Sequence, residues 1–161
     1  MVEPDLKDKS YISEIIDKYK DMVYKIAYTM TCNIHNSEDV LQDVFFKFIK
    51  TSPNFNDENH EKAWFIRVTI NRCKTLLASA WFKRTLSLNI DIPNDIEKDS
   101  EKFDLFTSVM NLPSKYKIII HLYYYEDYSV KEISTILSIK ESTIQSQLMR
   151  ARSILRKNLE E

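Results

Sequence analysis

The sequence predicts an all-α protein with two small helical domains joined by an acidic linker. Apolar residues recur at the i, i+3, i+4 spacing of amphipathic helices through most of the 161 residues. No stretch alternates apolar and polar residues for long enough to indicate a strand. The polar, acidic segment LNIDIPNDIEKDSEKFD interrupts the helical pattern and indicates a linker. The predicted boundaries are residues 1–84 for the first domain, 85–103 for the linker and 104–161 for the second domain.

Three helices are predicted before the linker. The first runs from about Tyr11 to Met30, and the second begins at SEDV, where Ser37 is expected to cap it. The second helix buries a stripe of apolar residues: Val40, Leu41, Val44, Phe45, Phe48 and Ile49. The third spans about residues 61–80 and buries Ala63, Ile66, Ile70, Cys73 and Leu77.

Helical patterns after the linker cover residues 103–111 and 114–126. A capping box formed by Ser129 and Glu132 opens the segment VKEISTIL. A break at Ser138 precedes the last predicted helix, residues 141–159. This short helix, tight break and longer helix have the form of a helix-turn-helix, whose outward face is predicted to carry Thr143, Gln145, Ser146, Met149 and Arg150. A plain helical hairpin is the alternative.

Composition excludes several classes of protein. Glycine is absent, which rules out a glycine-rich phosphate loop and a GxGxxG turn. The two cysteines, Cys32 and Cys73, have no metal-ligand spacing and are predicted to be small core residues. We expect no metal and no cofactor. No stretch approaches the ~20 apolar residues of a membrane span, and the N-terminus is polar, so we expect a cytoplasmic protein.

Charge is segregated along the chain although the net charge is only −1. Residues 60–84 hold six basic residues and one acidic residue. Residues 129–157 hold six basic residues and two acidic residues. Residues 85–104 between them hold six acidic and two basic residues. Two basic blocks that flank an acidic connector predict two separate surfaces for a polyanion.

Two further motifs carry candidate binding residues. In SEDVLQDVFFKFIK, one helix face away from the core holds carboxylates and an amide around an exposed aromatic residue, which suits an arginine-bearing protein partner: Asp39, Gln42, Asp43 and Phe46. In HEKAWFIRVTINRCKTLLASAWFKR, aromatic, amide and basic side chains share a surface that suits single-stranded nucleic acid: Trp64, Arg67 and Asn71, flanked by Arg72 and Lys74. The alternatives are a solvated acidic face and a tryptophan that completes the core.

The order of these motifs resembles the extracytoplasmic-function (ECF) group of bacterial sigma-70-type RNA polymerase sigma factors. The resemblance covers about residues 11–157, from DVLQDVFFKF through Phe55, AWFIRVTIN and the linker to LPSKYKIIIHLYYYEDYSVKEISTILSIKESTIQSQLMRARSIL. It implies that the protein directs promoter-specific transcription initiation together with the core polymerase.

The resemblance also implies roles for individual residues. Asp39, Gln42, Asp43 and Phe46 would contact the clamp helices of the polymerase β′ subunit. Phe55, Trp64 and Asn71 match the elements that open the −10 promoter element and hold a flipped base. The helix-turn-helix would read the −35 element through Ser142, Thr143, Gln145, Ser146, Met149 and Arg150. Further implied partners are the β subunit and an anti-sigma factor, which in this family is often membrane-anchored. No small-molecule substrate is implied, and because RNA synthesis stays with the polymerase, we expect no catalytic residue.

The chain departs from many relatives at Ser138 and Ser142, where they carry glycine, and at Gln145 and Gln147, where they carry Lys or Arg. Ser138 in a left-handed turn would cost about 1 kcal/mol relative to glycine. Glutamine pairs with adenine as arginine pairs with guanine, so we expect an adenine-rich −35 element and weak binding to isolated DNA.

Two other functions are compatible with parts of the sequence. A stand-alone helix-turn-helix regulator explains residues 129–157 and leaves the first domain unexplained. An enzyme that holds a metal ion between Asp39, Asp43 and either His35 or His60 is the other, because carboxylates at i, i+4 can share a cation. Acidic residues are, however, generally favourable in a first helical turn.

Overall fold

A computed structural model of the protein describes residues 6–79 and 100–160. These two ranges contain helices and connecting turns but no strand, as the sequence predicts. The linker prediction, residues 85–103, lies outside the described residues except for its last four positions. The helices are α1 (Leu6–Thr31), α2 (Ile34–Thr51), α3 (Glu58–Ala78), α4 (Ser100–Met110), α5 (Ser114–Ile120), α6 (Val130–Leu137) and α7 (Glu141–Glu160), with a π-helix (His121–Tyr125) directly after α5.

Helices α1, α2 and α3 form a bundle around a centre of aromatic side chains. Phe65 is fully buried, and its ring centroid lies 4.6 Å from that of Tyr19, 5.5 Å from Phe45 and 5.4 Å from Phe48. The predicted stripe of α3 omits Phe65. The stripe follows a single line of positions, whereas other helices cover α3 on two sides. The prediction that Ile49 is a core residue is wrong: it is 47% exposed, turned about 100° from its buried neighbour on the helix.

The helix starts differ from the predicted ones because other residues act as caps. Helix α2 begins at Ile34, where the side chain of Asn33 accepts a hydrogen bond from the Asn36 backbone N–H at 2.8 Å. Ser37, the predicted cap, is instead fully buried and donates to the Asn33 carbonyl oxygen at 2.6 Å. Asp57 caps α3, so that this helix starts three residues earlier than predicted.

The helix-turn-helix geometry follows the sequence prediction closely. The Ser129 hydroxyl accepts the Glu132 backbone N–H at 3.1 Å, and the Glu132 carboxylate accepts the Ser129 N–H at 3.2 Å, which confirms the capping box. Ser138 ends α6 in the left-handed region, with φ 55° and ψ 44°. Four buried residues join α6 to α7: Ile133, Ile136, Ile144 and Leu148. The predicted helix over residues 114–126 is two elements, since α5 passes into the π-helix at His121.

The two halves of the protein pack against each other along a surface that we call the seam. It is the contact of α1 and α3 with α5, the π-helix and α6. Across it, Arg67 Nε donates to the Ile136 carbonyl oxygen at 3.1 Å, and the Lys62 ammonium lies 3.4 Å from the Glu126 carboxylate. The two predicted domains therefore share one hydrophobic core in this structure.

Candidate polymerase and nucleic-acid interface

The outer face of α2 is an acidic surface with an aromatic residue at its centre. The polar residues at positions 39, 42 and 43 are exposed, and the Phe46 ring is 66% exposed. A phenylalanine that the fold leaves in solvent, beside carboxylates, is suited to a partner that supplies apolar surface and arginines. The structure therefore places Asp39, Gln42, Asp43 and Phe46 where the sequence expects them.

An ion pair connects this acidic face to α3. Arg72 Nε donates to the Asp43 carboxylate at 2.6 Å, and both side chains are partly exposed. The sequence assigns these two residues to different surfaces, one for protein and one for DNA. In the structure they adjoin, so a change at either one alters the electrostatic environment of the other.

Phe55 and Trp64 form an aromatic pair at the start of α3. Their ring centroids are 5.9 Å apart in an edge-to-face arrangement, and His60 lies edge-on to Phe55 at 5.5 Å. Trp64 also contacts Phe48 and Phe65, at 6.0 and 4.9 Å. Trp64 is half-buried: it packs against the core and stays partly accessible to solvent.

Asn71 lies about two turns further along α3 and belongs to a different part of the surface. It lines a groove of about 180 Å³ between α2 and α3, together with Asp43 and Arg72. The described residues therefore hold an aromatic platform and an amide-lined groove side by side along α3. Trp64 is not part of this groove.

Arg67 and Lys74, which the sequence also assigns to the DNA surface, face the seam. Arg67 is held by the Ile136 carbonyl oxygen at 3.1 Å. Lys74 lines a cavity of about 310 Å³ whose other walls include Leu137 and Gln147 of the second half. Arg67 and Lys74 nevertheless both remain exposed, so each cation is accessible at the margin of the seam.

The exposed face of α7 carries the residues predicted to read DNA. Ser142, Thr143, Gln145 and Arg150 are exposed, and Met149 is 65% exposed. Ser146 is half-buried, and its hydroxyl donates to the Ser142 carbonyl oxygen at 3.0 Å. The serine hydroxyl is thus partly occupied within the helix, which leaves Gln145 as the leading side chain for a base edge.

Arg152 is a surface residue that the sequence reasoning missed. Its Nε donates to the Tyr124 hydroxyl at 2.7 Å, and its guanidinium lies 5.4 and 5.6 Å from the ring centroids of Tyr123 and Tyr124. These contacts tie α7 to the π-helix and hold the guanidinium in one orientation. In the sequence, the run of three tyrosines at 123–125 was the signal that could have indicated a partner for this arginine.

Glu126 is the charged centre of the seam. Burial would raise the pKa of Glu126, but the adjacent His121 and Lys62 outweigh burial and hold that pKa below 4.5. His121 is buried, with Nε2 at 3.5 Å from the Glu126 carboxylate and Nδ1 at 3.5 Å from the Thr29 hydroxyl. The seam therefore joins the two halves by charge as well as by apolar contact.

Among the described residues, the side chains considered for a metal site do not come together. Within residues 6–79 and 100–160, no three His, Cys, Asp or Glu side chains are grouped closely enough to hold a metal ion together. Asp39 lies 3.5 Å from His35, whereas Asp43 is paired with Arg72. Of the described helices, none is long and apolar enough to cross a membrane.

Comparison with known proteins identifies the family of the chain. The family model of Sigma-70 region 2 matches residues 15–83, and that of Sigma-70, region 4 matches residues 104–155. The sigma factor SigW of Bacillus subtilis, an ECF RNA polymerase sigma factor, is 25% identical over 94% of this chain and 90% of its own. The RNA polymerase sigma factor SigZ of the same organism is 31% identical over 76% of this chain and 72% of its own.

Solved structures share the fold. The sigma factor RpoE, in its complex with the anti-sigma factor NepR from Bartonella quintana, superposes with a TM-score of 0.74 at 18% identity, covering 94% of this chain and 98% of that one. CnrH, in complex with the cytosolic domain of CnrY, gives a TM-score of 0.70 at 16% identity, covering 94% and 89%. The chain belongs to the ECF group of the sigma-70 family of RNA polymerase sigma factors.

Proposed function

We propose that α2 is the surface by which this sigma factor binds the core polymerase, at the clamp helices of the β′ subunit. The observation that carries the proposal is the exposed Phe46 among Asp39, Gln42 and Asp43, a face left in solvent by a helix whose opposite side is well packed. Desolvating such a face is favourable only against a partner that returns apolar contact and opposite charge.

The aromatic pair and groove of α3 are proposed to open the −10 element. Opening a duplex costs a few kcal/mol for each unstacked step, and capture of an extruded base offsets part of this. Phe55 and Trp64 supply stacking surfaces, and Asn71 supplies an amide in the groove. Arg72 supplies a cation for the phosphates beside the groove, and Arg67 and Lys74 add theirs once the seam is open.

The exposed face of α7 is proposed to read the −35 element. Gln145 and Met149 are presented to the major groove, with Ser142, Thr143, Ser146 and Arg150 around them. A glutamine amide pairs bidentately with adenine, which favours an adenine-rich element. The face has few cations, so most of the affinity for promoter DNA comes from the polymerase complex as a whole.

Reading both promoter elements requires the two halves to separate. The centres of the elements are about 25 base pairs apart, or about 85 Å at 3.4 Å per base pair. Helix α7, with 20 residues, is only ~30 Å long, and the seam holds α3 directly against α6. The described arrangement is therefore a closed form that core polymerase must open.

The remaining assignments follow from this function. Residues 1–84 form the polymerase-binding and −10-reading domain, residues 85–103 the connector, and residues 104–161 the −35-reading domain. An anti-sigma factor that covers these surfaces would keep the protein inactive, and its membrane anchor would hold the otherwise cytoplasmic protein near the membrane. RNA synthesis belongs to the polymerase, so the protein itself needs no catalytic residue and no cofactor.

The proposal is tested by run-off transcription with bacterial core polymerase on a pool of promoter fragments. The intact protein is expected to start transcripts at a defined subset of promoters. Asn71→Ala and Trp64→Ala are expected to bind core normally and to lose promoter opening, measured by permanganate reactivity of unpaired thymines. Asn111→Ala, which removes an exposed amide at the end of α4, is the matched control and should behave as the wild type.

A different result would favour the stand-alone regulator. If the protein binds duplex operators tightly without polymerase and does not compete for core, the sigma-factor roles of α2 and α3 are wrong. If Asn71→Ala and Asn111→Ala open promoters equally well, the groove between α2 and α3 does not hold a base. Binding of core with no transcript from any promoter would contradict the assignment of the DNA-reading residues.

A further inference from the structure

A buried lysine faces a cysteine at the seam. Lys117, in α5, is only 5% exposed, and its ammonium Nζ lies 3.3 Å from Sγ of Cys32 at the end of α1. Within the described ranges, the thiol is the hydrogen-bond partner recorded for this ammonium, and no carboxylate pairs with it. Cys32 is half-buried and packs against a small core cluster that includes Met110, so it lies at the border of the core, whereas the sequence predicts a residue within it.

A buried ammonium without an anion is costly, so its hydrogen bond to the neighbouring sulfur matters to both groups. Lys117 Nζ donates to Sγ at 3.3 Å, which places a hydrogen-bond donor where negative charge develops as the sulfur attacks a reagent. Lys117 therefore makes Cys32 a better nucleophile than an isolated cysteine.

The surroundings of Cys32 permit a small reagent to reach it. Cys32 follows the last turn of α1 with φ 55°, and its half-buried side chain lies at the edge of the seam. Its thiol donates to the Met110 sulfur of α4 at 3.6 Å. An oxygen atom added to Sγ would crowd Met110 and Lys117, which lie 3.6 and 3.3 Å from this sulfur and belong to the second half.

We propose that Cys32 is a hydroperoxide-reactive thiol activated by Lys117, and that its oxidation to a sulfenic acid loosens the seam. The sulfur attacks one peroxide oxygen, the S–O bond forms as the O–O bond breaks, and the leaving hydroxide takes up a proton from the Cys32–Lys117 pair. The thiol and hydrogen peroxide thus become a sulfenic acid and water. The sulfur loses two electrons and the peroxide gains them.

The second cysteine of the chain is an internal control for this chemistry. Cys73 is fully buried in α3, and burial raises its pKa to about 12. A thiol in that environment is protonated and inaccessible, so it should not react. The test treats the full-length protein with hydrogen peroxide, traps sulfenic acid with dimedone and maps the adduct by peptide mass spectrometry.

The adduct is expected at Cys32 and absent from Cys73. Lys117→Met keeps a long apolar side chain without the charge, and it should react on the order of tenfold more slowly. Circular dichroism of the variant reports whether it is folded. The ratio of labelling at the two cysteines is measured on the wild-type protein and needs no variant. Equal labelling of both cysteines, labelling of neither, or an unchanged rate in a folded Lys117→Met protein would overturn the proposed activation.

The effect on the seam is measured by amide hydrogen exchange in α3 and α6. Peroxide should speed exchange in both helices of the wild type, and a thiol reductant should reverse the change. The same treatment of Cys32→Ser controls for oxidation of Met110, which such a reductant does not reverse. If Cys32 is oxidised while exchange in α3 and α6 stays unchanged, the proposed loosening is wrong.

Discussion

Replacement of Asp43 by asparagine distinguishes the roles of the two surfaces that meet at the Asp43–Arg72 ion pair. The pair is short, at 2.6 Å, but its side chains are 48% and 37% exposed. Exposed pairs contribute ~0.2–1 kcal/mol to stability, which for a protein of this size lowers the melting temperature by at most about 4 °C. If Asp43 also pairs with an arginine of the polymerase, its loss there costs about 2 kcal/mol or more, roughly thirtyfold in core affinity.

Arg72→Gln is the matched control because it removes the same ion pair from the other side. Both variants should lose the same small amount of stability, measured by thermal unfolding. Asp43→Asn should lose core binding, measured by competition with labelled wild-type protein, and Arg72→Gln should keep it and lose promoter opening. Glu14→Gln removes an exposed charge from α1 and should change neither. Core affinity of Asp43→Asn within twofold of the wild type would refute the reasoning.

Further predictions concern the turn, the reading helix and the seam. Ser138→Gly should stabilise the protein by about 1 kcal/mol in urea unfolding, because Ser138 occupies the left-handed region; a loss of stability would contradict this. Gln145→Arg should move the preferred −35 base from adenine to guanine, a change of ~1–3 kcal/mol in discrimination, as measured by binding-site selection with holoenzyme. A preferred −35 sequence that this substitution leaves unchanged would refute the assignment of Gln145 as a base-reading residue. Glu126 has a folded-state pKa below its ordinary 4.5, so its contribution to stability is complete above pH 4.5 and is lost as the pH falls through the folded value. The stability difference between the wild type and Glu126→Gln, measured in urea at a series of pH values, should shrink in that acid range and not near neutrality.

Local signals in the sequence were enough for several elements of the fold. The capping box of Ser129 and Glu132 and the turn at Ser138 depend on residues within one helical turn, and both were predicted correctly. The start of α2 was not predicted correctly. Asn33 and Ser37 both suit a cap, and which of them caps the helix depends on burial against α1. Phe65 was missed for the same reason: which sides of α3 are covered is decided by its neighbours.

The sequence by itself determined that the protein is helical, that its charges fall in separate blocks, and that its motifs follow the order found in sigma factors. These properties depend on residue type and spacing along one chain. Only the tertiary structure decided that Asp43 pairs with Arg72, that Arg67 is held at the seam, and that Lys117 faces Cys32. Each of these contacts joins residues from 29 to 85 positions apart, and no local pattern specifies which distant partner a side chain meets.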